Sequence, residues 1–191
     1  MNYYVGALLE CKDLIVSKRI QIIGIDYNEF YIQAAKEAIV EENLQKFIHV
    51  DCISVYETQK ISQLVQATCT SKTVNHIYFS GSFSLLPDPM KALESVLSLD
   101  CISIETKIFI TQTYQRHSPM FLATLKPLIK YITSIDFGSL ITEDEIQTFH
   151  QQVIQNIPSL TLQQHSIIPN SVDNPLQAAY LTIFQRKTKN T

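Results

Sequence analysis

The chain has 191 residues, 46% of them hydrophobic, enough to build a core that keeps water out of a site, and a single domain spanning 1–191 is the expected organisation. Charged residues make up 17% and the net charge is -3, so no basic field exists to hold phosphate backbones, and nucleic acid is disfavoured as a partner. No apolar run approaches the ~20 residues that span a bilayer. Glu10, Lys12 and Asp13 also interrupt the N-terminal stretch where a secretory leader would be apolar, so a cytoplasmic protein with no membrane segment is expected.

Residues 4–16 carry Tyr4, Val5, Leu8, Leu9, Leu14 and Ile15 at three- and four-residue spacings and read as an amphipathic helix. Residues 19–26, RIQIIGID, are a β-branched run of strand length ending in a carboxylate. Residues 28–43 have helical periodicity with Asn28 as N-cap and Glu29 in the first turn, and 47–52, FIHVDC, read as strand again. The alternation continues with a weak helix at 60–67, a strand at 74–80, a helix at 89–99 led by Asp88 and Pro89, and a strand at 107–114. Ser118 and Pro119 open a predicted helix to about residue 135, with Pro127 as a kink. Thr142 and Glu145 form a capping box for a helix to about Ile157. Strands at 160–168 and 178–185 close the chain, joined by PNSVDNP. Alternating strands and helices predict a mostly parallel α/β sheet. The last two strands have no helix between them, so they are expected to be antiparallel.

In open α/β sheets ligands bind beyond the carboxyl ends of the strands, which directs attention to strand tips. Asp26, followed by Tyr27, could accept two hydrogen bonds from a ribose diol or could simply open the next helix. Asp51, followed by Cys52, could accept from the exocyclic amine of an adenine or could be a turn carboxylate. Ser80, Gly81 and Ser82 follow a strand and allow close backbone approach of a ligand, with Phe79 or Phe83 as an apolar wall; an ordinary polar turn is the alternative. Ser82 and Ser84 lack a GxSxG frame, which argues against a hydrolase. Tyr114, Gln115 and Arg116 follow the fourth strand and are candidate substrate contacts. His49, His76, His117, His150 and His165 are scattered and read as core or surface histidines. Cys11, Cys52, Cys69 and Cys101 show no metal-ligand spacing and read as buried reduced thiols, so no metal is expected.

These segments resemble class I S-adenosylmethionine-dependent methyltransferases, a Rossmann-like family. IIGIDYNEFYIQAAKEAI resembles the second strand and following helix, and FIHVDC the next strand. NHIYFSGSFSLLPDPMKALESVLSL resembles the fourth strand and helix, KIFITQTYQ the fifth strand, and the two closing strands the antiparallel hairpin. The resemblance implies S-adenosylmethionine as cofactor. It implies that Asp26 and Tyr27 serve the ribose, Asp51 and Cys52 the adenine, and Ser80, Gly81 and Ser82 the methionine and acceptor side. It implies a small-molecule or protein methyl acceptor and names no catalytic residue. Two departures stand out. The family opens with a central strand ending in a GxGxG-type loop, and nothing of that kind precedes Arg19, while MNYYVGALLE resembles the end of that loop and its helix. A domain truncated at its N-terminus, lacking the first central strand, is therefore expected. The usual Pro-Gly-Gly turn before the fifth strand is replaced by Asp100, Cys101, Ile102 and Ser103, which predicts a longer turn. An inactive methyltransferase-like protein that binds a partner is the alternative function, and a nicotinamide-dependent oxidoreductase a third, which the antiparallel ending opposes.

Overall fold

The structure, a computed structural model, describes residues 8, 10–71, 73–81, 83–116, 142–175 and 177–187. The helix expected between Ser118 and residue 135 lies outside them. The chain divides into two compact units, one of residues 1–74 and 91–102, the other of residues 75–90 and 103–191.

In the first unit, α1 (Lys12–Lys18) ends at Arg19, whose φ of 52° is a left-handed cap. The strand predicted from Arg19 therefore starts later, as β1 (Ile22–Asp26). α2 (Glu29–Glu41) begins where expected, because the Asn28 side chain accepts a hydrogen bond from the Phe30 amide at 3.0 Å. β2 (Ile48–Cys52) pairs parallel with β1, Ile22 opposite Ile48 and Asp26 opposite Cys52. α3 (Thr58–Thr68) follows, and α4 (Pro89–Leu97) contributes Leu93 and Val96 to the buried residues. Ile15, Ile39, Leu44 and Ile48 form a buried cluster, with Ile22 and Val50 packed on it. A two-stranded sheet is marginal unless something covers it, and this cluster supplies cover.

Gly24 has a specific reason to lack a side chain. It sits opposite Val50, and a Cβ there would lie 3.0 Å from Val50 Cγ1. Gly24→Ala is expected to cost about 1–2 kcal/mol by crowding the β1–β2 pair. Urea denaturation checks this, and an unchanged midpoint would show that Val50 yields freely.

In the second unit, β3 (Val74–Ser80), whose first residue belongs to the first unit, leads into a 3₁₀ turn (Phe83–Leu85). β4 (Ile102–Gln115), whose first residue belongs to the first unit, starts five residues before the predicted strand, and a tight turn of the first unit replaces the longer one expected at Asp100 to Ser103, with Ile102 N bonded to Leu99 O at 3.3 Å. From Thr106 on the strand alternates, with Thr106, Ile108, Ile110, Gln112 and Tyr114 all buried on one face. α5 (Glu143–Asn156) carries the predicted capping box, with Thr142 and Glu145 each bonding the other's backbone. β5 (Leu160–Ile167) and β6 (Gln177–Arg186) are antiparallel as expected.

The described strands make two sheets, β1–β2 and β3–β4–β6–β5. β4 and β5 both run antiparallel to β6 and so parallel to each other. The fold is a Rossmann-like α/β arrangement with the antiparallel hairpin at its end. Among the described strands β1 pairs only with β2 and β3 only with β4. Among the described residues no helix is long and apolar enough to cross a membrane.

Candidate nucleotide-binding strand tips

Parallel pairing brings the ends of β1 and β2 together, and with them Asp26, Tyr27, Asp51 and Cys52. The Ile53 amide lies 3.1 Å from both the Asp26 and Asp51 carbonyl oxygens, tying the two strand ends. Asp26 is half-buried, and its Oδ1 accepts from the Asn28 amide at 2.8 Å, which fixes the orientation of the carboxylate. Its Oδ2 makes no hydrogen bond to any described residue. Asp51 Oδ1 accepts from the Cys52 amide at 2.9 Å and lies 4.0 Å from Lys36 Nζ. The register sets Asp26 beside Cys52 and Asp51 beside Ile25, so the two carboxylates share a strand end but leave it on alternate faces. Cys52 Sγ reaches the Tyr27 carbonyl at 3.5 Å. Tyr27 is 79% exposed and Phe30 74%, which leaves aromatic surface next to Asp26. Further along, Glu57 is held below the usual carboxylate range by Lys60, and Lys91 stands 5.9 Å above the Tyr56 ring.

Ser80 and Gly81 belong to the second unit, and Ser82 lies outside the described residues. Gly81 has a φ of 67° and bonds its amide to Thr111 O at 2.7 Å, so this residue turns the chain out of β3 in a conformation that favours glycine. The Ser80 hydroxyl contacts Tyr78 OH at 3.5 Å, and Tyr78 OH contacts Thr111 Oγ1 at 2.8 Å. Phe83 is not a pocket wall: it is 3% exposed, its ring packed against Phe79 and Phe149. Ser84 is engaged twice by the buried Gln112, amide to Oε1 at 3.2 Å and Nε2 to Oγ at 2.7 Å, which is the role of a structural serine.

Other sequence expectations shift as well. Tyr114 and Gln115 lie within β4 rather than after it, and both are buried. Burial pushes the Tyr114 hydroxyl up, against a weaker pull from Thr182. Arg116 does follow the strand, and its guanidinium pairs with Asp173 at 2.7 Å and Glu143 at 3.5 Å. All four cysteines are free, but only Cys101 is buried, while Cys11 and Cys52 are exposed. Among the described residues no group of three or more His, Cys, Asp or Glu is placed to hold a metal.

A cluster that the sequence reading passed over lies under α5. His150 is buried, with its ring centroid 4.6 Å from that of His165, which stacks on Tyr180 at 4.7 Å and 8°. Burial lowers both rings, His150 to about 4. A signal was present: His150 occupies the apolar stripe Ile146, His150, Val153, where a core side chain belongs.

By sequence, no family model and no curated protein matches the chain. By structure, it is similar to MccD protein at 12% identity and a TM-score of 0.61, covering 93% of this chain and 84% of that one. It is similar to a SAM-dependent methyltransferase from Aquifex aeolicus at 12% identity and a TM-score of 0.58, covering 95% and 76%. It is also similar to the plantazolicin methyltransferase BpumL, solved with SAH, at 13% identity and a TM-score of 0.55, covering 87% and 68%. The fold is that of the class I methyltransferases. Asp26 and Asp51 lie at the carboxyl ends of β1 and β2 in the first unit, the kind of edge where open α/β sheets take ligands.

Proposed function

We propose that the protein is an S-adenosylmethionine-dependent methyltransferase acting on a small molecule or a protein. The observation that carries the reading is the half-buried Asp26, whose carboxylate is oriented by the Asn28 amide with Oδ2 free of described partners, at a strand tip of a methyltransferase-like fold. The acceptor chemistry of these side chains supports that reading. Asp26 offers a fixed acceptor for a ribose diol, Asp51 an acceptor for an adenine amine, and Tyr27 an exposed apolar surface beside them, with Cys52 at the rim. When bound, the cofactor supplies a methyl group already activated on a sulfonium. What the chain supplies is position, which for a direct displacement is the main requirement. The acceptor is a small molecule or protein because the acidic chain offers no basic field for nucleic acid.

Calorimetric titration with S-adenosylmethionine and S-adenosylhomocysteine tests this. Micromolar binding is expected, weakened by about 1–3 kcal/mol in Asp26→Ala, the usual worth of hydrogen bonds to a charged group. No binding by the folded chain would remove the active-enzyme reading and favour an inactive protein of the same ancestry that binds a partner.

A further inference from the structure

On the inward face of the second unit's sheet, where Ile108, Ile110, Tyr114 and Phe184 are buried beside Thr106, Gln112 and Thr182, two imidazoles meet, His165 from β5 and His150 from α5. Leu162 pairs with Phe184, but the next pair is Gln164 with Ile183, so Gln163 is an extra residue in β5. The bulge reverses the alternation: Gln163 and Gln164 are both exposed, and His165 comes opposite Thr182, its Nδ1 2.9 Å from Thr182 Oγ1. α5 lays His150 onto it from above, between Ile146 and Val153, with Phe184 5.6 Å from the His150 ring.

We propose that the His150–His165 pair is an acid-operated latch, holding α5 on the β5–β6 hairpin while both rings are neutral and releasing it when a ring takes up a proton. The surroundings offer little compensation for that charge: Glu143 favours a His165 cation, but burial outweighs it. From α5, Glu143 bonds Tyr180 OH at 2.7 Å and faces the Arg116 guanidinium, so its carboxylate is already engaged. From β4 come Tyr114, a buried neutral hydroxyl, and Arg116, a cation; from the loop before β6 comes Asp173, paired with that same Arg116. β6 presents Tyr180, Thr182 and Phe184. Among the described residues no carboxylate forms an ion pair with either ring, and a first imidazolium would stand beside the second ring at 4.6 Å.

The sign follows from the depressed values. Unfolded histidine protonates near 6.5 and His150 in place near 4, so the closed form is favoured above about pH 6.5 and loses ground as pH falls through that window. Release is local because the β4–β6–β5 ladder is made of backbone bonds that do not involve α5. It has a consequence beyond the helix: α5 carries Glu143 in its first turn, so opening also frees Tyr180 and one side of Arg116 at the carboxyl end of β4.

Hydrogen exchange of the whole chain between about pH 7 and about pH 4.5, corrected for the intrinsic rate, tests the latch. α5 is expected to lose about tenfold or more in protection below about pH 6 while β4 and β6 keep theirs. His150→Phe, which keeps an aromatic ring against Phe149 and Phe184, is expected to stay protected. His165→Gln serves if that variant does not fold. Protection of α5 that is flat with pH, loss of α5 and β6 in one step, or acid opening that persists in the folded variant would each overturn the proposal. Proton NMR of the wild-type histidine rings gives a check free of substitution: the two rings are expected to titrate together with α5 opening, and titration with α5 still protected would overturn it.

Discussion

Phe184→Ala is expected to destabilise the protein by about 3–5 kcal/mol, the usual cost of emptying a buried aromatic site. The side chain is fully buried, and the strand pairings put Ile108 on one side and Leu162 on the other, with the His150 ring above. These neighbours sit on three different elements, so they cannot all close on the void together, and the loss belongs at the upper end of the range. Thermal denaturation should show a fall of about 10 °C, since a domain of this size loses roughly 2–4 °C per kcal/mol. The cavity would also admit water to His150 and raise its protonation toward the ordinary histidine range, so acid sensitivity should move upward in the variant. A loss below about 1 kcal/mol would mean that the three strands and α5 do not share this core.

Leu44→Ala tests the first unit in the same way, with an expected loss of about 2–5 kcal/mol. Leu44 is fully buried against Ile15, Ile39 and Ile48, and its carbonyl accepts from the amides of Phe47 and Ile48, which turns the chain from α2 into β2. The distinguishing feature is where the damage falls. Ile48 pairs with Ile22 at the start of the two strands, while Asp26 and Cys52 pair at their far end. Under conditions where the variant remains folded, its affinity for S-adenosylhomocysteine should stay within about twofold of wild type, because the tip carboxylates keep their own backbone donors. Denaturation by urea and calorimetry on the same sample separate the two effects. Equal losses in stability and in affinity would mean that the Leu44 cluster and the strand tips are one cooperative element.

Much of the architecture was legible before any coordinates because local chemistry and tertiary context agree. Asn28 and the Thr142–Glu145 box mark helix starts through bonds that span three residues or fewer, so no distant contact can alter them. The β-branched runs and the helix-free closing hairpin likewise left little choice of strand direction. Element ends were less legible: Arg19 reads as strand but caps a helix, and β4 runs on because a distant partner, β6, continues to pair with it through Gln115. The candidate site divides the same way. That Asp26 and Asp51 meet at one end follows from two parallel strands ending in acids, but their alternate faces depend on the register, which no single strand encodes.

The amino-acid order was sufficient for the α/β class, the antiparallel ending, the caps and the strand-tip carboxylates, since each rests on periodicity or on bonds between near neighbours. Packing decided the rest. By simple alternation Leu160, Leu162, Gln164 and Ser166 share a face and His165 points away, yet one bulged residue turns His165 inward to meet His150. A bulge forms where both strands and the helix above them lower their free energy together, and that balance exists only once all three are in contact.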